Sequence, residues 1–444
     1  MIIVLGGGPA GRIASIRLAS AGKEVTLVES GGIGGQCLHF GCMPICALTD
    51  AARIIDSNRN FHNLGIVDSI PEINFPHLLT EMHAIQQKIA SILDTETKTA
   101  GVNIVYGRTA RTEGNRVFIG DEPEEAEAVI VATGSRPNIP EIEGISLSGV
   151  HTPHTVWEMK KLPRKLAIIG GSVMAAEFAF IFSRFGSEVT VLSRSTFLKN
   201  FDRHLKRTAL QELSGVDIRE NADVKSIKGS TGVKSVQFGT GETNESIDAD
   251  AVLIAAGLLP RSDMITGIKK GPLGEILVND RMQTSVPGVY ACGDVTGPPY
   301  LTPVARHEGI VAADNILGRD RRMDYQYIPQ SINLTHELAF CGTGGDRSAS
   351  LAIPGPAGPG TFWSVPSGDT GLAKIMADPE SGEITGMCAA GPGGGLIAGY
   401  MAFLMQRHIT VHDFEDFIEV HPSTDGVYGL AKYTSDILKK RSGS

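Results

Sequence analysis

Cys37 and Cys42 stand five positions apart in Gly34-Gly35-Gln36-Cys37-Leu38-His39-Phe40-Gly41-Cys42-Met43-Pro44. Two thiols can cycle between dithiol and disulfide, moving two electrons, when their Cα atoms lie roughly 4.4–6.8 Å apart. A regular helix, rising about 1.5 Å per residue, would carry positions i and i+5 farther apart and onto diverging faces. The pair, if bridged, is therefore expected on an irregular segment leading into a helix, which Gly41 permits and Pro44 at a first helical position suits. A helix N-terminus there would favour thiolate. Six cysteines in 444 residues do not make a secreted disulfide framework, and in a reducing compartment a close pair points to catalysis or metal binding. Zinc would need two more ligands, and Cys46 with His39 fits known spacings poorly, so no metal is expected.

A redox pair needs a cofactor and elements to hold it. Residues 2–5 read as a strand, Gly6-Gly7-Gly8-Pro9-Ala10-Gly11 as a turn, 12–21 as a helix ended by Gly22, and 24–29 as a second strand closing on Glu29. This is a full dinucleotide fingerprint: Gly6 turns the chain, Gly8 admits the pyrophosphate, Gly11 lets helix and strand pack, and Glu29 is placed for ribose hydroxyls. About 165 residues on, the pattern returns: a strand at 165–169, the turn Gly170-Gly171-Ser172-Val173-Met174-Ala175, a helix to 185 and a strand at 188–192. Two copies imply two dinucleotide sites. In the second, Ser172 and Ala175 replace glycines, small enough to reshape binding without abolishing it. Its last strand runs into Ser193-Arg194 with Lys199 beyond. Cations there accommodate a 2′-phosphate, favouring NADPH over NADH, unless both are merely solvated charges.

The polar helix at 73–100 reads as a solvent-facing connector. Val129 to Pro137 is a buried strand entering the turn Ala132-Thr133-Gly134, and Val289 to Val295 a strand ending in Gly293-Asp294. From about Tyr325 a mixed α+β section follows, with Pro354 to Gly360 as a surface loop. The expected organisation is α/β: two Rossmann-like dinucleotide-binding domains and a C-terminal α+β domain, divided as 1–150, 151–258, 259–323 (a return to the first domain) and 324–444. An apolar content of 42% supports sizeable cores, and a net charge of −9 gives no basic face for nucleic acid. With the first strand directly after Met1 and no long apolar run apparent, no leader or membrane span is expected and a cytoplasmic location is.

These motifs, in this order, resemble the FAD-dependent pyridine nucleotide–disulfide oxidoreductases, the group of glutathione reductase, dihydrolipoamide dehydrogenase and mercuric reductase. The first FAD motif matches Gly6, Gly8, Gly11 and Glu29; the redox box matches Gly34 to Pro44, with Gln36 for threonine; Ala132-Thr133-Gly134 matches a further motif. The late FAD motif matches Ala291 to Val295, which would place Asp294 near the ribityl chain or phosphate, and Val420-His421-Pro422-Ser423 is similar to the terminal His-Pro-Thr signature. The resemblance implies FAD and NADPH or NADH as cofactors, a C-terminal dimerisation domain, a homodimer, and hydride passing from nicotinamide through flavin to the Cys37–Cys42 disulfide. Cys42 would be the thiolate nearest flavin, Cys37 the thiol that attacks substrate, and His421 of the partner subunit the proton shuttle, a task imidazole suits. The substrate would be a small thiol or disulfide, or a lipoyl group.

The chain departs from this pattern in three places. Cys46 stands where the family has a lysine paired with a glutamate near the flavin, the latter matched by Glu177. Without its cation Glu177 should have a raised pKa or lean on water; Cys46 itself, one helical turn on from Cys42, reads as a small buried hydrophobe in preference to a resolving or substrate-binding thiol. Gly426 stands where the family has the acid that orients the histidine, and Asp425, one position early, would be expected to point elsewhere. Leu258-Leu259-Pro260-Arg261 replaces a usual Arg-x-Pro-Asn loop. These losses motivate an alternative from another class, an FAD-bound electron-transfer subunit serving a protein redox partner. A mercuric reductase-like activity ranks lower, because the C-terminal cysteine pair of such enzymes is missing from Lys439-Lys440-Arg441-Ser442-Gly443-Ser444.

Overall fold

A computed structural model of the chain describes every residue except 242, 343–348, 355–363, 367, 369 and 443–444. Ile2-Ile3-Val4-Leu5 is buried on both faces, as a central parallel strand must be. It sits in a five-stranded parallel sheet ordered Val289–Ala291, Ala128–Val131, Ile2–Leu5, Val25–Glu29, Asn103–Tyr106. Helix α1 (Pro9–Ser20) follows its first strand. The loop after Glu29 yields α2 (Gly35–His39), α3 (Cys42–Asn63) and α4 (Phe75–Thr99).

The second copy repeats the plan. Its parallel sheet runs Asp217–Glu220, Glu188–Ser193, Lys165–Ile169, Ala251–Ile254, Val150–His151. Helix α5 (Val173–Phe185) fills the turn-to-helix position, and α6 (Arg203–Glu212) follows the next strand. The chain then returns through Val289–Ala291 to the first sheet and enters α7 (Thr302–Ile316), which packs on α1. The C-terminal part is a five-stranded antiparallel sheet, Gln330–Asn333, Glu337–Gly342, Ile384–Gly391, Leu372–Ala377, Ala349–Pro354, covered by α8 (Gly394–Met405) and α9 (Gly426–Ser442). The architecture is thus the expected pair of Rossmann-like units with an α+β terminus. Of the expected loop after Pro354, that proline ends a strand and 355–360 lie outside the described residues.

By length and composition alone, α2 and α3 taken together (Gly35–Asn63) would suffice to cross a membrane. The stretch is broken at Phe40–Gly41, and Ile45, Leu48 and Ala52 of α3 join the core built around Phe178, Phe182 and Phe185 of α5. That apolar seam also holds an ion pair, Arg184 Nε 2.6 Å from Asp56 Oδ1, with both side chains 8% exposed. Thr335 Oγ1 donates to the other Asp56 oxygen at 2.9 Å, so α3, α5 and the terminal domain meet there. Arg184→Leu strands a buried carboxylate and is expected to destabilise the fold by about 3–5 kcal/mol, read as a lowered urea midpoint.

Candidate active site

The irregular segment expected around the thiols is present. Cys37 lies in α2, Gly41 leaves helical geometry at φ −116° and ψ −115°, and Cys42 opens α3. Gly35 has φ +55°, and a Cβ there would lie 2.7 Å from Gly8 Cα. Only glycine allows that approach, which seats the redox segment directly on the first dinucleotide turn. The segment's carbonyls are also held from outside. Gln86 Nε2 donates to Leu38 O at 2.9 Å and to His39 O at 3.2 Å, and Trp157 Nε1 donates to Phe40 O at 3.3 Å. Helix α4 is therefore not the solvent-facing connector expected of it: it buries Phe75, Leu79, Met82 and Gln86 and fixes the redox loop. Hydrophobic periodicity was diluted there by polar residues, which concealed its buried face.

Cys37 and Cys42 are both free thiols. The Cys42 thiol beside it pulls Cys37 down to about 6 against the opposing effect of burial; Thr302 and the Arg306 cation assist. Cys42 is pushed up, chiefly by Cys37. The dithiol thus gives up its first proton more readily than an ordinary thiol. Thr302, the first residue of α7, places its Oγ1 3.5 Å from Cys42 Sγ, so two helix N-termini converge on the pair and favour negative charge. Iodoacetamide should alkylate Cys37 of the reduced chain with a rate that rises through about pH 6, since a lowered pKa exposes thiolate above it; Cys42→Ala should move that midpoint up toward the ordinary thiol range near 8.5.

Around this pair the first turn forms a cradle. A Cβ on Gly11 would lie 2.0 Å from Gly6 O and 3.1 Å from Ala132 Cβ, so helix and strand pack as closely as the fingerprint requires. At Gly8 a Cβ would meet nothing nearer than Gly35 Cα at 3.8 Å, leaving room above the N-terminus of α1. Glu29 ends its strand and accepts from Gly7 N at 2.6 Å and Gly31 N at 2.7 Å. Thr133 Oγ1 donates to Arg261 O, and Arg261 N to Gly134 O, which is how Leu258–Pro260 repacks against Ser135–Pro137. Asp294 Oδ2 accepts from Ser135 Oγ at 2.6 Å, and burial raises its pKa. The Tyr300 hydroxyl is buried without a partner among the described residues. An open phosphate seat at a helix N-terminus, an acid at the strand end and an orphaned hydroxyl fit FAD.

The second turn is plainer. Gly170 follows its strand, Ser172 caps α5 with its side chain unengaged, and Ala175 is fully buried in the place of the last glycine. Arg194 and Lys199 are both exposed beyond the strand Glu188–Ser193, a charge pattern that fits a phosphorylated ribose.

Glu177, on α5, is buried and raised to about 7 by that burial, as expected of a carboxyl that has lost its cation; Asn333 N and Asn333 Nδ2 donate to its Oε1 at 3.0 and 3.1 Å. Two other readings resolve differently. Cys46 is exposed, correcting its reading as a buried hydrophobe; Cys292, Cys341 and Cys388 are the buried ones. Asp425 does reach the histidine, its Oδ2 lying 2.8 Å from His421 Nδ1. The segment before α9 is irregular and tied by Ser423 Oγ to Val420 O and Thr424 Oγ1 to Pro392 O, so a one-residue shift does not turn the acid away as it would in a regular helix. The His421 side chain is 63% exposed, and among the described residues no hydrogen bond joins it to either thiol.

Thr302, Arg306, Gln86 and Asn333 were invisible in the sequence because nothing local marks them. Glu308 is another: buried and raised to about 7 by that burial, it accepts from Gly293 N at 2.6 Å and Tyr325 OH at 2.7 Å, bracing the Gly293–Asp294 turn.

The family model described as pyridine nucleotide-disulphide oxidoreductase matches residues 1–309, and the model of that family's dimerisation domain matches residues 360–431. The chain is 30% identical to a dihydrolipoyl dehydrogenase of Bacillus subtilis (strain 168), covering 95% of both chains. It is 27% identical to a mercuric reductase of Lysinibacillus sphaericus, covering 98% of this chain and 82% of that one. Its fold matches the HOCl-induced flavoprotein disulfide reductase RclA from Escherichia coli with a TM-score of 0.84 over 99% of each chain, at 24% identity.

Proposed function

The chain belongs to the pyridine nucleotide-disulphide oxidoreductases, FAD- and NAD(P)H-dependent enzymes, and within that family we propose that it is a dihydrolipoamide dehydrogenase-like enzyme acting on a small disulfide or lipoyl group. The observation that carries this reading is the Cys37–Cys42 dithiol, set between two helix N-termini and seated on the first dinucleotide turn. FAD, when bound, supplies the two-electron link between nicotinamide and this pair. Gly6, Gly8, Gly11 and Glu29 would hold its adenosine and pyrophosphate end, and Ala132, Thr133, Gly134 and Asp294 would line the rest.

Cys37 as thiolate attacks one sulfur of the substrate disulfide, and the other sulfur leaves as thiolate. Cys42 then attacks Cys37 Sγ, closing the protein disulfide and releasing the second substrate thiol, so two electrons pass from protein to substrate. In a homodimer, His421 of the partner subunit hands a proton to the leaving sulfur while Asp425 fixes its tautomer. The dimer is supported by large apolar side chains left exposed in the terminal domain, Ile418 at 90%, Val420 at 78% and Leu396 at 81%.

Gly170, Ser172 and Ala175 seat the nicotinamide cofactor at α5, and Arg194 and Lys199 take the 2′-phosphate of NADPH. Steady-state reduction of lipoamide and of glutathione disulfide by NADPH and by NADH tests the reading. Turnover of at least one disulfide with a lower KM for NADPH is expected, with Arg194→Ala erasing the preference. Failure of both nicotinamides, in a flavoprotein that dithiothreitol still reduces, would favour the partner-fed electron-transfer subunit.

A further inference from the structure

Glu177 is the one group of the family's flavin-side pair that this chain keeps, and its surroundings are rebuilt. Three parts of the fold meet at it. Glu177 comes from α5, its two donors come from Asn333 at the end of the strand Gln330–Asn333, and the next residue of that strand's turn, Leu334, accepts from Arg53 Nε of α3 at 2.6 Å. Leu334 is fully buried, and Arg53 Nη2 is buried with no partner among the described residues. The charged or titratable groups that act on Glu177 are Arg53 and Cys42, both on α3. Cys46, exposed, shares no hydrogen bond with it.

We propose that Asn333, backed by Arg53, is the positioning residue of the Glu177 carboxyl, doing in this chain what the family assigns to a lysine at the place of Cys46. The proposal rests on Glu177 facing the flavin, as the proposed function has it. A lysine would pair with the carboxylate directly; here two neutral N–H donors aim one oxygen, and the cation stands behind them, bonded to the backbone that presents them. Such an arrangement fixes orientation while letting the carboxyl exchange a proton near neutral pH, because neutral donors favour the anion less than an ammonium in contact does. The division of labour also explains how Cys46 can sit at the surface without a structural duty.

The test follows the protonation of Glu177 in the FAD-loaded enzyme by infrared pH titration of its buried carboxyl stretch, with Glu177→Gln as the spectral blank. Asn333→Leu and the milder Asn333→Ser should each raise the midpoint, by about one unit. Arg53→Gln should move it the same way, Arg53→Lys should restore it, and Cys46→Ala should leave it unchanged. A midpoint that stays at the wild-type value in Asn333→Ser and Arg53→Gln, or that moves in Cys46→Ala, overturns the proposal. The same samples reduced with dithiothreitol report whether the thiols lie against the flavin at all. Absence of that signal counts against the functional reading, while the carboxyl titration still decides the role of Asn333.

Discussion

Cys42→Ser should lose at least about 10³-fold in disulfide turnover, the scale expected when a covalent step is removed, while FAD stays bound. Serine preserves the volume at the start of α3 and can still accept or donate to Thr302, 3.5 Å away in the parent. What it cannot do is attack the mixed disulfide on Cys37. The first substrate thiol leaves and the second stays attached, so the variant should release one thiol per chain and stop. Mass spectrometry after reaction with a small disulfide checks this directly: a single adduct on Cys37 is expected. An unmodified chain with unimpaired turnover would remove Cys42 from the mechanism.

Asp425→Asn should lower the rate of disulfide reduction by about 10²-fold, within the range for disabling general acid–base catalysis. Asp425 is 3% exposed and caps α9 through its backbone, its carbonyl accepting from Tyr428 N at 3.0 Å. Asparagine keeps that shape but offers His421 Nδ1 an amide in place of a carboxylate, so the proton-bearing nitrogen is no longer fixed. Reduction of the bound flavin by NADPH should be unaffected, since His421 serves only the thiol exchange. Comparing that half-reaction with full turnover separates a proton-transfer defect from a folding defect, which would harm both.

Much of this site was legible in the residues. The roles of Gly6, Gly8 and Gly11 follow from their spacing between a strand and a helix, and the close approach of Gly11 to Gly6 O is the packing the pattern demands. Spacing also placed a break between Cys37 and Cys42, because five residues of helix cannot bring two sulfurs together. What escaped was set by tertiary partners. Asn333 reaches Glu177 across 156 positions and Gln86 reaches Leu38 across 48, and no local pattern encodes either contact. The histidine's acid was misjudged for a related reason: a shift of one residue was expected to turn Asp425 away, but the side chains of Ser423 and Thr424 tie this segment to Val420 O and Pro392 O before α9 begins. Cys46 was misplaced because burial is the usual state of a free cysteine, whereas this one lies on the outer side of α3.

The central claim is that Cys37 and Cys42 form a redox pair coupled to the bound flavin. Anaerobic titration of the FAD-loaded enzyme with dithiothreitol, followed by absorbance, tests it most directly. The wild type should take up one electron pair more than its flavin alone accepts, with long-wavelength thiolate–flavin absorbance growing before the flavin bleaches, and Cys42→Ser should take up the flavin's pair only. Equal uptake by wild type and Cys42→Ser, flavin content being equal, would contradict it.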